Sequence, residues 1–251
     1  MNDVERYLFD LQGFLVIDNV LSVEELDELN RVIDEQNYPP PNGEDVFTQR
    51  FYDFLEWESD VFRKLLTHPR VIPYLPELIG DTFRLDHEYG ILMQRGNPAG
   101  TLHGGGTPYD PAQYYIYRNE KMYNGLTVVS WALTDMLPGQ GGFCCIPGSH
   151  KSNITCPENF RSVVDDPPCL AGVHQKAGDV LIFTEALTHG TLPWHAEHQR
   201  RSILFKYIPG HASWGQPRSD DSLLKKMGSE EQRRMLEPPY VAERRTVLPR
   251  N

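Results

Sequence analysis

Gly178-Asp179-Val180-Leu181-Ile182-Phe183, continued by Thr184-Glu185-Ala186-Leu187-Thr188-His189-Gly190, is the stretch on which the fold turns. Val180 to Phe183 is a short apolar run with Gly178 just before it, and it reads as a buried strand. Beyond the strand the chain places His189. Upstream, Thr101-Leu102-His103-Gly104-Gly105 offers a second histidine. A β-barrel can present metal ligands at its mouth from such segments, because a rigid strand positions the loop that carries the side chain.

Working outward, strand-like runs recur at Gly13 to Ile17, Phe83 to Met93, Leu126 to Leu133, Gly142 to Ile146 and Ser202 to Ile208. Gly and Pro punctuate them at Gly96-Asn97-Pro98, Leu137-Pro138-Gly139 and Pro147-Gly148-Ser149. Many short strands separated in this way predict a sandwich or jelly roll. Ser22-Val23-Glu24-Glu25 is a capping box, and Leu26, Leu29, Val32 and Ile33 follow at helical spacing, so a helix should run to about Glu35. Further helices are predicted over Asp60 to Leu66, between Val71 and Ile79, and within Asp220 to Leu236, where Gly228 weakens the last. Pro39-Pro40-Pro41-Asn42-Gly43 breaks the chain into a loop.

At 251 residues, with 39% hydrophobic and 24% charged residues, the composition fits one soluble globular domain over 1–251. The net charge of −11 argues against non-specific nucleic-acid binding, which needs a basic face. No apolar run approaches a membrane span, and Met1-Asn2-Asp3-Val4-Glu5 lacks the pattern of a signal peptide, so a cytoplasmic location is expected. Cys144, Cys145, Cys156 and Cys169 form no CxxC pair and read as thiols in a reducing compartment. The oligomeric state is not readable.

Thr107 to Asn124 carries Tyr109, Tyr114, Tyr115, Tyr117 and Tyr123 with Arg118 and Lys121. Between two strands it is long enough for a lid or substrate loop, with Tyr109, Tyr117 and Arg118 as candidate substrate contacts. The competing reading is that its tyrosines pack the loop onto the barrel.

Four stretches together resemble the phytanoyl-CoA dioxygenase family of non-haem Fe(II), 2-oxoglutarate-dependent enzymes. They are Gly13 to Ile17 with its helix, Trp131-Ala132-Leu133-Thr134-Asp135, Gly141-Gly142-Phe143 through Pro147-Gly148-Ser149-His150-Lys151, and Gly178-Asp179 to His189-Gly190. The resemblance implies a mainly β fold with flanking helices, a double-stranded β-helix (jelly roll, cupin-like). It implies Fe(II) and 2-oxoglutarate as cofactors, with dioxygen and a small-molecule substrate as partners. His103 and His189 match the family's iron histidines, and Arg200, eleven residues beyond (200 − 189), matches its 2-oxoglutarate anchor. Gln94 and Trp131 are weaker candidates for the co-substrate pocket, Trp131 being equally suited to the core. His150 reads as structural.

Gly105 stands where the family's HxD or HxE motif carries its iron-binding acid. In related halogenases a small residue there leaves a coordination position that chloride fills. Oxidation of an aliphatic C–H bond, with chlorination placed first, is therefore one expectation. In the alternatives another acid (Asp110, Glu185, Asp86 or Glu88) completes a hydroxylase, Gly104-Gly105-Gly106 is a turn that lets backbone approach closely, or the barrel binds without catalysis.

Overall fold

Strand alternation sets the layers of this protein. The computed structural model describes residues 1–38, 48–163, 165–216 and 221–249; the predicted loop at Pro39 to Gly43 lies outside them. The strands are β1 (Phe14–Ile17), β2 (Gln49–Phe51), β3 (Arg84–Met93), β4 (Tyr115–Arg118), β5 (Lys121–Asn124), β6 (Thr127–Ala132), β7 (Gly142–Cys145), β8 (Ala171–Gly172), β9 (Val180–Thr184), β10 (His189–Leu192) and β11 (Arg200–Ile208). The helices are α1 (Asp3–Gln12), α2 (Val23–Glu35), α3 (Val61–Leu65), α4 (Tyr74–Ile79), α5 (Asp221–Lys226) and α6 (Glu230–Met235).

Six strands form one antiparallel sheet in the order β1-β9-β6-β11-β3-β2, and β10-β7-β8 form a second. Successive side chains of a strand face opposite ways. Leu181 and Phe183, Val128 and Ala132, Leu204, and Tyr89, Ile91 and Met93 thus face inward and meet Phe143 and Cys145 of the small sheet in one core. Their neighbours Val180, Ile182, Val129, Trp131, Ile203 and Phe205 face outward and pack with Leu29, Val32 and Ile33 of α2, Phe62 of α3 and Leu75 of α4. The result is a jelly roll with helices on its outer face, as expected from the strand pattern.

Several local features were not foreseen. α1 is capped by a box between Asn2 and Glu5 and closed by Gly13 at φ 86°, a left-handed position that glycine adopts without strain. The helix expected within Asp220 to Leu236 is two, because the chain breaks at Gly228 and restarts with Ser229 as N-cap. Within 107–124, β4 and β5 form a hairpin whose two turn residues, Asn119 and Glu120, both have positive φ (54° and 60°). That is the backbone a two-residue type I′ turn requires.

His150 occupies the turn after β7 and pins α1 to the sheet. It is 1% exposed, its Nε2 lies 3.0 Å from the Asp10 carbonyl, and its ring meets Tyr115 edge-on at 4.6 Å. A Cβ at Gly13 would lie only 2.7 Å from its Nδ1, so the glycine is needed for this seat. Burial pushes the imidazole pKa down to about 4, against the opposing effect of the hydrogen bond it donates to the Asp10 carbonyl. The folded state therefore binds this proton less readily than the unfolded chain. Stability should fall as pH drops from the ordinary histidine value near 6.5 through about 4, by on the order of 2–3 kcal/mol from this group. Denaturant melts across that window, compared with His150→Gln, should show a shallower pH slope in the variant; equal slopes would remove His150 from the account.

Candidate active site

Between the two sheets lies a cavity of about 260 Å³, and His103, Glu185, His189 and Arg200 all line it. The local sequence explains how they meet. Glu185 directly follows β9 and keeps the inward parity of Leu181 and Phe183. The chain then turns and starts β10 at His189. His103 pairs with His189 as an isolated bridge, each N–H donating to the other's carbonyl at 2.9 Å. The imidazole rings lie 4.2 Å apart by centroid.

Gly104 makes this approach feasible. A Cβ there would stand 2.5 Å from the Leu187 carbonyl and 2.6 Å from that of Glu185. Gly106 is equally constrained, 2.4 Å from the His150 carbonyl. Gly105 has φ +115°, and its Cβ position points at Thr188 Oγ1, 3.2 Å away. It lines a neighbouring recess with Thr188 and Ser149 and is not among the residues of the cavity that holds the histidines. The run of glycines is thus a close-packing device between the His103 segment and the turn that carries Glu185.

One donor atom each from His103, Glu185 and His189 lies within 4.8 Å of the other two, the one such group among the described residues. His189 Nδ1 is 2.7 Å from the Leu187 carbonyl and His103 Nδ1 is 3.3 Å from that of Thr101. A carbonyl only accepts, so Nδ1 carries the proton in each ring and Nε2 keeps its lone pair for a metal. Burial pushes the His189 pKa down to about 4, which holds the ring neutral. Glu185 is 3% exposed. Burial alone would raise its pKa, but the Lys206 ammonium, joined at low pH by the histidines once they are protonated, holds it down at about 2. Lys206 Nζ is 2.7 Å from Glu185 Oε1, while Glu185 Oε2 lies 3.9 Å from His189 Nε2. Two imidazoles with free Nε2 atoms and one carboxylate on one face form a donor set suited to a divalent ion with open positions.

Arg200 opens β11 and is 4% exposed. Its Nε and Nη1 donate to thioether sulfurs, Met136 Sδ at 3.0 Å and Met93 Sδ at 3.1 Å. Sulfur is a weak acceptor. No carboxylate pairs with Arg200 among the described residues, and burial pushes its pKa down to about 10. A buried guanidinium without an anion suits a carboxylate-bearing ligand, which its fork can grip through two parallel bonds.

The other sequence candidates stand elsewhere. Gln94 falls just past the end of β3, does not line the cavity, and its backbone makes a turn with Asn97. Trp131 lies in the outer core with its ring 5.4 Å from His68. Tyr109 and Tyr117 are exposed, 67% and 61%, and neither they nor Arg118 line this cavity. The tyrosine-rich segment does not close over the site; its hairpin packs against α4 instead. Asp110 accepts from the Ala112 and Gln113 amides in a local turn, and Asp86 is held by Arg84, His87 and the Trp214 amide. Glu88 has the outward parity of β3, opposite Phe205. Lys206 and Ser130 were not foreseen; Lys206 shares the parity of Arg200, which was the available signal.

The fold recurs in known proteins. HygX from Streptomyces hygroscopicus, crystallised with nickel and 2-oxoglutarate, is 28% identical, covering 85% of this chain and 89% of its own, with a TM-score of 0.76. Its structure with nickel, 2-oxoglutarate and hygromycin B covers 96% of both chains at 25% identity and a TM-score of 0.75. The carbocyclase SnoK from nogalamycin biosynthesis shares the fold at 18% identity, covering 90% of each chain, with a TM-score of 0.65. No curated protein matches. The family model for phytanoyl-CoA dioxygenase matches residues 9–202, and the chain belongs to that family of Fe(II), 2-oxoglutarate-dependent oxygenases.

Proposed function

We propose that this enzyme uses Fe(II), 2-oxoglutarate and dioxygen to oxidise an aliphatic C–H bond of a small molecule. His103, Glu185 and His189 hold the iron, and the outcome is oxygenation, not chlorination. The observation that carries this reading is the position of Glu185, one of whose carboxylate oxygens lies within 4.8 Å of a ring nitrogen of each histidine. Glu185 takes the role that a residue at 105 cannot. No coordination position is then left for chloride by a missing acid, and Gly105 is accounted for by its φ of +115° and the Thr188 hydroxyl 3.2 Å from its Cβ position.

When bound, iron and 2-oxoglutarate supply the oxidising power. The residues of this chain bind and orient. Arg200 pairs with the far carboxylate of 2-oxoglutarate in place of the two sulfurs. Phe143, Phe183 and Leu204 give the cavity apolar walls, and Ser130 and Thr191 offer hydroxyls. HygX with hygromycin B bound supports a small-molecule substrate. Among the described residues no helix is long and apolar enough to cross a membrane. We assign the chain to the cytoplasm as a single catalytic domain over 1–251, a compartment in which its cysteines stay thiols.

The test is an anaerobic chloride titration of the Fe(II) and 2-oxoglutarate complex, followed by its visible charge-transfer band. The band should form and stay unmoved by chloride. A chloride-dependent shift would restore halogenation, and failure of the band to form would remove the iron assignment. On admission of dioxygen, succinate should appear.

A further inference from the structure

The two oxygens of Glu185 are divided between different partners, and this points to a role for Lys206. Residues 200, 202, 204 and 206 share one parity on β11, which brings Lys206 to the inner face alongside Arg200 and Leu204. β11 is flanked by β3 and β6, so this lysine stands in the middle of a sheet, not at its edge. Its side chain is only 11% exposed. A lysine so placed needs an anionic partner, because an unpaired ammonium in the interior costs several kcal/mol. Glu185 Oε1 is that partner at 2.7 Å, and the Tyr89 ring lies beneath the ammonium at 5.4 Å from its centroid. The other oxygen, Oε2, is the one nearer His189, 3.9 Å from its Nε2.

We infer that Lys206 is a positioning residue that tethers one oxygen of Glu185 and cancels its charge, so that the acid gives a metal a single oxygen. This rests on the reading of Glu185 as a metal ligand. A carboxylate with both oxygens free can chelate a divalent ion and occupy an additional coordination position. Tethered, it leaves three positions of an octahedral ion open, two for a chelating 2-oxo acid and one for dioxygen. The neutralised pair also spares a dianionic co-substrate the repulsion of a free carboxylate. Lys206 thereby completes the exchange that moves the acid from position 105 to position 185.

The test compares Lys206→Met and Lys206→Arg with the parent, all as full chains checked for folding by circular dichroism. Co(II) affinity is measured by calorimetry, and 2-oxoglutarate affinity by anaerobic titration of the Fe(II) charge-transfer band. Lys206→Met should bind Co(II) as tightly as the parent or more so, yet lose about tenfold or more in 2-oxoglutarate affinity, a loss of the size seen when groups behind metal ligands are removed. Lys206→Arg, which keeps the charge and the donors, should recover most of it. Unchanged 2-oxoglutarate affinity in Lys206→Met would overturn the inference, as would a folded Lys206→Met that no longer binds Co(II). If Lys206→Met does not fold, Lys206→Gln, which keeps a donor, carries the same comparison. Glu185→Gln run in parallel separates the two ideas: parental Co(II) affinity there would sink the ligand assignment itself, whatever Lys206 does.

Discussion

Glu185→Ala should lower the affinity for Co(II) or Fe(II) by about 100-fold or more and abolish succinate formation. Loss of groups behind metal ligands typically costs 10–100-fold, and a ligand that supplies the anionic charge should cost at least as much as the upper end. The same variant leaves Lys206 buried without its counter-ion. A stability loss of roughly 3–5 kcal/mol should accompany it, which metal affinity measured on the folded fraction separates from the ligand effect. Adding Gly105→Asp to Glu185→Ala should not restore binding. At φ +115° a side chain is strained, and its first atom would head for Thr188 Oγ1 rather than into the cavity that His103 and His189 line. Calorimetry on the single and double variants decides the matter. Recovery in the double variant would show that position 105 does reach the metal and would return the halogenase reading to first place.

Arg200→Leu should weaken 2-oxoglutarate by about 10²–10³-fold, or about 3–4 kcal/mol, inside the range of about 2–5 kcal/mol lost when one partner of a buried hydrogen-bonded charge pair is truncated. Co(II) affinity without 2-oxoglutarate should stay parental, because Arg200 is not in the donor group. Thermal stability should hold or rise. In the absence of an anion the guanidinium is buried against two sulfurs, and an apolar side chain there relieves an uncompensated charge. A melting curve and a 2-oxoglutarate titration on the same sample test both halves. A marked drop in melting temperature with unaltered co-substrate affinity would make Arg200 a structural residue.

Much of this was legible along the chain. Val180 to Phe183 reads as a buried strand and is one; Ser22 and Glu25 cap α2 reciprocally as their spacing says. His103, His189 and Arg200 come together on one cavity although long stretches of chain separate them. Other readings did not meet the site. Tyr109, Tyr117 and Arg118 looked like substrate contacts because aromatic and basic residues were clustered, but clustering in sequence says nothing about which surface a hairpin covers. Trp131 lies on a strand that does line the cavity, yet on outward parity, and Gln94 falls just past the end of β3. α1 carried readable signals in Asn2, Glu5 and Gly13 that were not used.

The acid shows where the boundary falls. Alternation, capping and turn chemistry are local, governed by the neighbouring few residues, and the sequence alone determined them; the family resemblance added both histidines and the arginine as candidates. Asp86, Glu88, Asp110 and Glu185 were equivalent candidates at that level, since nothing within a strand's length distinguishes a ligand from a salt-bridge partner. Only the tertiary structure separates them, because it groups Glu185, and not the other three, with His103 and His189. Gly104 lets the His103 segment come against the Leu187 and Glu185 carbonyls, β9 carries Glu185 inward, and β11 brings Lys206 to its second oxygen. Ligation depends on distances of a few ångströms between segments far apart in the chain, and those distances exist only once the two sheets have closed on each other.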